Sequence, residues 1–225
     1  MQEYAYRLPG DLPHGVQFVR AGGPDDDFYM ATDGRGGFWI RDVQHAGFSS
    51  RRDLFGALAK CANQGLLPFT QDEEYAVESL WHEIWHNRQA GADGIVRLEK
   101  AHPVRLFAET LNQVVARLTY PRFVEKLGGV AVHQAWVVNH GYGYLPFVSR
   151  FLRIVASLGL DIDTLTDGLT ALNRQIDLMQ ASRHVAALLA KRSGTPRPPI
   201  QAALDMICAS APRFEAALKG IKSPF

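Results

Sequence analysis

Apolar positions recur along this chain with two different periods. Val16-Gln17-Phe18-Val19 alternates, and the stretches from Phe28 to Thr32 and from Gly37 to Asp42 also read as strands. Successive strand side chains point to opposite faces, so this pattern predicts three short strands near the N-terminus. Asp33-Gly34-Arg35-Gly36 joins the second to the third. Aspartate and glycine tolerate the positive φ of a tight hairpin, which predicts an antiparallel ribbon.

From Ser49 onward the period lengthens. Ser49-Ser50-Arg51-Arg52-Asp53 can cap a helix running to about Asn63, with Leu54, Leu58 and Cys61 on its apolar side and Gly65 after its end. Thr70-Gln71-Asp72-Glu73 has the form of a capping box, with Thr70 as N-cap and Glu73 at the third helical position. Asp72, Glu73 and Glu74 stand where the helix dipole favours negative charge. Gly91 suits the far end, so a helix is expected from Gln71 to Ala90. At about 100° per residue, Val77, Leu80, Trp81 and Ile84 share one face, and Tyr75, Ser79, His82 and His86 the opposite one.

Pro103 suits the first turn of a further helix reaching about Thr119. Val104, Phe107, Leu111, Val114, Val115 and Leu118 form its apolar side, and Arg105, Glu109, Asn112 and Ala116 the other. A short helical piece follows Pro121 and ends at Gly128-Gly129. Val130 to Val138 reads as strand or helix, and Asn139 to Tyr144 as a glycine-rich aromatic loop. Helices are expected at about 146–158, 162–173 and 175–191, then a proline-rich loop over 192–199. One or two closing helices follow over 200–220, with a break at Pro212. The expected class is α+β: a small antiparallel N-terminal sheet packed with the Gln71 helix in a core over 1–145, and a helical C-terminal part over 146–225.

Composition narrows the function little. The 225 residues are 47% hydrophobic and 21% charged, with a formal net charge of +1. That balance points to an ordinary globular protein rather than to nucleic acid or an anionic membrane. No apolar run approaches the ~18 residues of a membrane span, and the first residues lack the pattern of a signal peptide. Cys61 and Cys208 stand in unrelated contexts and read as buried thiols, so a reducing cytoplasm is expected. Trp81, Trp85 and Trp136 read as core or cleft wall, Arg51-Arg52 and Lys191-Arg192 as solvated helix ends. His133 and His184 have no partner pattern.

The chemistry concentrates in Trp81-His82-Glu83-Ile84-Trp85-His86. Residues four apart lie on one face of a helix, so His82 and His86 would present two imidazoles to one point, the spacing a zinc ion needs. Glu83 lies about a quarter turn away, within reach of water at such a metal. A catalytic zinc takes three protein ligands. An extension to a third histidine at position 92 fails, since Gln89 and Ala92 stand where glycine and histidine are required. His102, at a helix entrance, and Glu109, on the non-apolar face of the following helix, remain; Glu109 is preferred.

His82-Glu83-Ile84-Trp85-His86, a connection, and Glu109 on the next helix resemble the gluzincin arrangement of zincin metallopeptidases over about residues 71–116. Gly37-Phe38-Trp39-Ile40-Arg41-Asp42 followed by this helix is similar to zincin domains of phage and mobile-element proteins. The resemblance implies a zincin-like fold, one Zn2+ on His82, His86 and Glu109, and zinc-dependent hydrolysis of a peptide or protein substrate. Glu83 would take the proton of the zinc-bound water and pass it to the leaving amine. Asn112, one turn after Glu109, stands where related enzymes orient a ligating histidine from an acidic side chain. An oxyanion donor is expected from the loop carrying His140, Tyr142 and Tyr144. Phe38 to Arg41 is the favoured strand for pairing with an extended peptide. The alternative is a catalytically silent zincin-like binding or morphogenetic protein of a phage or mobile element.

Overall fold

A computed structural model gives the structure of the chain and describes residues 16–19, 29–32, 38–41, 44–45, 47–62, 68–89, 98–175 and 177–222. Its contacts divide into two compact units, one of residues 1–88 with 116–143 and one of residues 89–115 with 144–225. Residues 89–115, expected with the first part, belong to the second unit.

The first unit opens with a three-stranded sheet: β1 (Val16–Val19), β2 (Met30–Thr32) and β3 (Phe38–Arg41), in the order β1-β3-β2. β2 and β3 are antiparallel, with Met30 opposite Ile40 and Thr32 opposite Phe38. The expected antiparallel ribbon is thus the β2–β3 pair, but β1 runs parallel to β3, with Val16 opposite Phe38, so the sheet as a whole is mixed where an antiparallel one was expected. This order also makes β3 the central strand. Its backbone groups are taken on both sides, which rules out Phe38 to Arg41 as a strand for peptide pairing. Within β3, Phe38 and Ile40 are buried while Trp39 and Arg41 are half-buried, the alternation of a strand with one covered face. The Asp33–Gly36 connection lies outside the described residues. Two short strands, β4 (Gln44–His45) and β5 (Phe48–Ser49), form a separate antiparallel pair.

Helix α1 (Ser50–Ala62) starts with a reciprocal cap. The Ser49 hydroxyl accepts from the Arg52 N–H at 3.2 Å, and the Asp53 carboxylate accepts from the Ser49 N–H at 2.7 Å. Helix α2 (Gln71–His86) has the expected capping box. Its C-terminus comes earlier than expected, at Asn87, whose side chain returns to the carbonyl of Glu83 at 3.2 Å. Ala90 and Gly91 lie outside the described residues, as does Gly65. The two helices approach closely: a Cβ at Gly56 would stand 2.9 Å from Glu73 Oε1.

Helix α3 (Pro103–Lys126) is continuous through Pro121, where a break was expected. Proline cannot donate to the carbonyl four residues back. Here the Arg117 carbonyl, left without its helical donor by the proline, accepts from Gln134 Nε2 at 3.4 Å, and the same amide donates to the Leu118 carbonyl at 3.2 Å. Gln134 begins α4 (Gln134–His140), which settles the ambiguous 130–138 stretch as loop followed by helix. The division between the units falls within α3, after Val115.

The second unit also holds α5 (Leu145–Ser157), α6 (Thr166–Gln175), α7 (Ala181–Ser193), α8 (Arg197–Asp205) and α9 (Ala211–Lys222). Phe151, Ile154, Leu169, Val185, Leu189, Ile200, Leu204 and Phe214 are all buried in its core. α7 ends at Gly194, whose φ of 73° closes the helix in the left-handed conformation glycine adopts without strain. The proline-rich loop shrinks to a few residues, because Pro198 and Pro199 sit in the first turn of α8 and Pro212 in that of α9. There a missing N–H costs nothing. Among the described residues no helix is long and apolar enough to cross a membrane.

Candidate metal centre

The structure brings His82, Glu83 and His86 together on α2. One ligand-type atom of each lies within 4.8 Å of the others. The two imidazoles meet nearly edge to face, with planes at 83° and Nε2 atoms 3.0 Å apart. Two nitrogens bound to one tetrahedral zinc at ~2.0–2.1 Å would stand about 3.3 Å apart. The observed 3.0 Å is a hydrogen bond between the two rings, and a shared cation would need them only a few tenths of an ångström further apart. Two imidazole nitrogens and a carboxylate also form a donor set suited to a borderline divalent ion.

The opposite face of α2 fixes where these side chains point. Trp81 Nε1 and Trp85 Nε1 both donate to the Thr119 hydroxyl, at 2.8 and 3.2 Å. The Trp81 ring stacks on Phe123 at 4.5 Å with planes 14° apart. Arg88 covers the Trp85 ring at 4.8 Å. Rotating α2 about its axis would break all of these contacts, so the tryptophans lock the direction of the histidines. The tryptophans are thus core, as their spacing implied. One residue beyond His86, Asn87 Nδ2 donates to Thr32 Oγ1 at 3.0 Å, which ties the end of the helix to the edge strand β2.

The face carrying the histidines is not a solvated or open polar side. His82 is 5% exposed and Glu83 9%, and Tyr75, Glu74 and Glu78 are buried as well. The periodicity of α2 identifies its apolar stripe, but nearly the whole helix is buried. Its polar side chains are met by partners far along the chain. Glu74 accepts from the N–H groups of Val132 and His133 at 2.5 and 2.9 Å and from the Tyr120 hydroxyl at 2.5 Å. It thus seats the N-terminus of α4, where a carboxylate is favoured by the helix dipole. Burial pushes the Tyr75 and Tyr120 hydroxyls well above the usual phenol range, Tyr120 with the added push of its bond to Glu74. Burial also pushes the Glu78 carboxyl up to about 8, against the opposing pull of the Arg117 charge.

Arg117 is the residue with least warning in the sequence. It is buried on α3, and its guanidinium donates to the carbonyls of Val138, Gly141 and Gly143 at 2.9, 2.7 and 2.7 Å. Its charge is disfavoured by burial and held by Glu78 and Tyr75. A buried arginine at Arg117 and acidic residues at Glu74 and Glu78, two turns and one turn before His82, are signals a search for buried polar residues could have used.

The remaining expected site residues fall in several places. His140 is exposed at the end of α4, with its ring stacked on Trp136 at 6.1 Å. Tyr142 packs edge-on against Tyr75 at 5.1 Å and lies near Phe48 and Trp136. Tyr75 is seven residues before His82 on the histidine face, which places this contact about 10 Å along the helix axis from His82. Tyr144 begins α5 with φ 52°, the one positive φ among the described non-glycine residues. Glu109 is half-buried on the part of α3 that belongs to the second unit. The His102 imidazole accepts from the Val104 N–H at 3.3 Å, a capping role at the start of α3.

Asn112 has other work than the one expected. Its side-chain oxygen accepts from Gln89 at 3.2 Å and from Asn173 at 2.9 Å, within the second unit. Those two bonds occupy both lone pairs, so this oxygen does not orient a ligating imidazole. Cys61 and Cys208 are free thiols, and burial raises the Cys208 thiol to about 11. No protein-family model, curated protein or solved structure matches the chain, and the reading of the centre rests on its own residues.

Proposed function

We propose that the chain is a zinc-dependent peptide hydrolase of zincin type, with His82 and His86 as metal ligands and Glu83 as general base. The observation that supports the reading is the convergence of His82, Glu83 and His86 on one point, with a ligand-type atom of each within 4.8 Å of the others. A bound zinc ion would supply Lewis acidity, polarising the scissile carbonyl and acidifying water. Glu83 would accept the proton of the attacking water on its carboxylate and deliver it to the leaving amine nitrogen. The Trp81 and Trp85 bonds to Thr119 would keep the imidazoles oriented through that transfer. An extended peptide would pair with β2, an edge among the described strands, whose Thr32 is tied to Asn87. The free thiols of Cys61 and Cys208 accord with a cytoplasmic setting.

A second reading has an observation in its favour. Structural zinc sites are closed, whereas catalytic ones keep an open position, and His82 and Glu83 are 5% and 9% exposed. On that reading the chain is a catalytically silent zincin-like binding or morphogenetic protein.

Metal analysis and a peptide-library cleavage assay separate the two. About one zinc per chain is expected, retained in Glu83→Gln and lost in His82→Ala with His86→Ala. Turnover in the parent protein that drops ~10²–10⁴-fold in Glu83→Gln supports hydrolysis. Zinc without turnover selects the silent protein, and zinc content indifferent to both histidines removes both readings.

A further inference from the structure

We infer that Asn87 is a positioning residue for the proposed hydrolysis: its clasp on Thr32 sets the strand β2 against Glu83 and His86, and so selects which bond of a peptide paired on β2 is cut. The inference rests on the hydrolase reading and deepens it, from peptide cleavage in general to cleavage at one fixed place along β2.

Strand alternation puts Met30 and Thr32 on one face of β2, opposite Ile40 and Phe38 of β3. That face is the covered one, with Met30, Phe38 and Ile40 all buried. A fourth apolar side chain is the ordinary occupant of position 32, and valine has the shape of threonine. Threonine stands there instead, and its hydroxyl is used. Asn87 Nδ2 donates to Thr32 Oγ1 at 3.0 Å, and Thr32 Oγ1 lies 3.3 Å from the Asn87 side-chain oxygen for its own proton. The Asn87 amide also donates to the Glu83 carbonyl at 3.2 Å. Capping the helix needs only that last bond, whereas the Thr32 bonds join elements 55 residues apart. Asn87 directly follows His86 and stands four residues after Glu83, so Glu83 and Asn87 share a face of α2. The Thr32 end of β2 is thereby held about one helical turn, ~5.4 Å along the axis, from Glu83. A peptide paired on β2 would advance about 3.4 Å per residue. Ladder bonds hold its backbone, but the offset between β2 and α2 decides which carbonyl stands beside Glu83. The clasp sets that offset, so the bond cut is one paired near Thr32 rather than near Met30. Misplacement by about 1 Å can cost ~10²-fold in rate.

The test uses the full zinc-loaded chain and a defined library of unstructured peptides, with cut sites read by mass spectrometry. In the parent protein each cleaved peptide should be cut mainly at one bond. Thr32→Val keeps the shape and removes the hydroxyl. It should leave zinc stoichiometry unchanged and raise cutting at neighbouring bonds, relative to the main one, about fivefold or more. Its kcat should fall about tenfold or more with KM little altered. Thr32→Ser, which keeps the hydroxyl, should restore the parent pattern. Asn87→Ala should spread the cuts as Thr32→Val does, and stands in if Thr32→Val does not fold. A merely structural clasp would lower Tm and leave the cut pattern alone, so a Thr32→Val protein with parental cuts and kcat overturns the inference and leaves hydrolysis standing. Several equal cuts per peptide in the parent protein do the same. Zinc bound without cleavage by the parent overturns the hydrolase reading and this inference together, while the metal site stands. Failure to bind zinc overturns all three.

Discussion

Helices α2 and α5 solve the same problem in opposite ways. α5 buries Val148, Phe151, Ile154 and Val155, a narrow apolar stripe at helical spacing. Its arginines point elsewhere: Arg150 donates to the carbonyls of Ile207 and Ala209, and Arg153 pairs with Glu215 in the open. α2 buries an apolar stripe too, but also Glu73, Glu74, Glu78, His82 and Glu83. A buried polar group costs free energy unless each of its bonds is made. α5 needs only neighbours of the right shape, whereas α2 needs named partners at set positions.

The largest stability effects should come from removing the best example of each kind of burial. Phe151→Ala deletes a fully buried ring and should cost about 3–5 kcal/mol. Glu74→Ala strands the Tyr120 hydroxyl and the N–H groups of Val132 and His133. At ~1–3 kcal/mol for each unsatisfied buried group, it should cost at least as much. Glu74→Gln, which keeps one carbonyl oxygen as acceptor, should fall between Glu74→Ala and the parent. Urea unfolding of the three variants is the measurement. A cost below about 1 kcal/mol for Glu74→Ala would mean that water replaces its partners, and the contrast between the helices would collapse.

A smaller effect concerns Glu78 and has a pH signature. Its folded carboxyl is raised from 4.5 to about 8 by burial. The folded state therefore holds this proton more tightly than the unfolded chain. The contribution to stability is fully present below pH 4.5 and is lost as pH rises through the window up to about 8. Within that window a single proton sets a slope of at most about 1.4 kcal/mol per pH unit. Glu78→Gln keeps the neutral shape and should remove this slope, so that the variant gains on the parent as pH rises from 5 to 8. Parallel stability curves for the two proteins would show that Glu78 is ionised in the fold and paired with Arg117. α5, whose buried positions are all apolar, offers no counterpart to this titration.

What could be read in the sequence follows the same division. The capping box at Thr70 and Glu73, the pairing of β2 with β3 and the spacing of His82 with His86 are local, set by residues within a few positions of one another. The parallel seat of β1 beside β3 was not legible, because parallel pairing is closed over a long connection and leaves no turn motif. Pro121 reads as a break until Gln134 is seen donating to the carbonyl it frees. Gly91 reads as a helix end until Asn87 is seen closing the helix earlier. The burial of α2 on its polar side was hidden for the same reason. A helical wheel shows only its own residues, while the partners of Glu74 and Glu78 come from Tyr120, Val132, His133 and Arg117. Asn112 had a plausible role beside Glu109, and only Gln89 and Asn173, distant in sequence, show how its oxygen is used.

The smallest predicted effect sharpens the comparison by separating stability from the metal site within α2 itself. Thr70 accepts from the Glu73 N–H at 3.2 Å, and Glu73 accepts from the Thr70 N–H at 2.7 Å and from Lys60 at 2.7 Å. Thr70→Ala removes only the first bond. The loss should lie near the lower end of the usual N-cap cost, ~0.5–1 kcal/mol, a fall in Tm of about 1–4 °C for a chain of this size. His82 lies twelve residues further along, ~18 Å at 1.5 Å per residue. The Trp81 and Trp85 bonds to Thr119 hold the helix beyond the cap. Zinc affinity measured by competition with a chelator should therefore be unchanged in Thr70→Ala while Tm falls. A drop in both would mean that α2 frays as one unit from its first turn, and that the tryptophan anchors do not insulate the histidines from the cap.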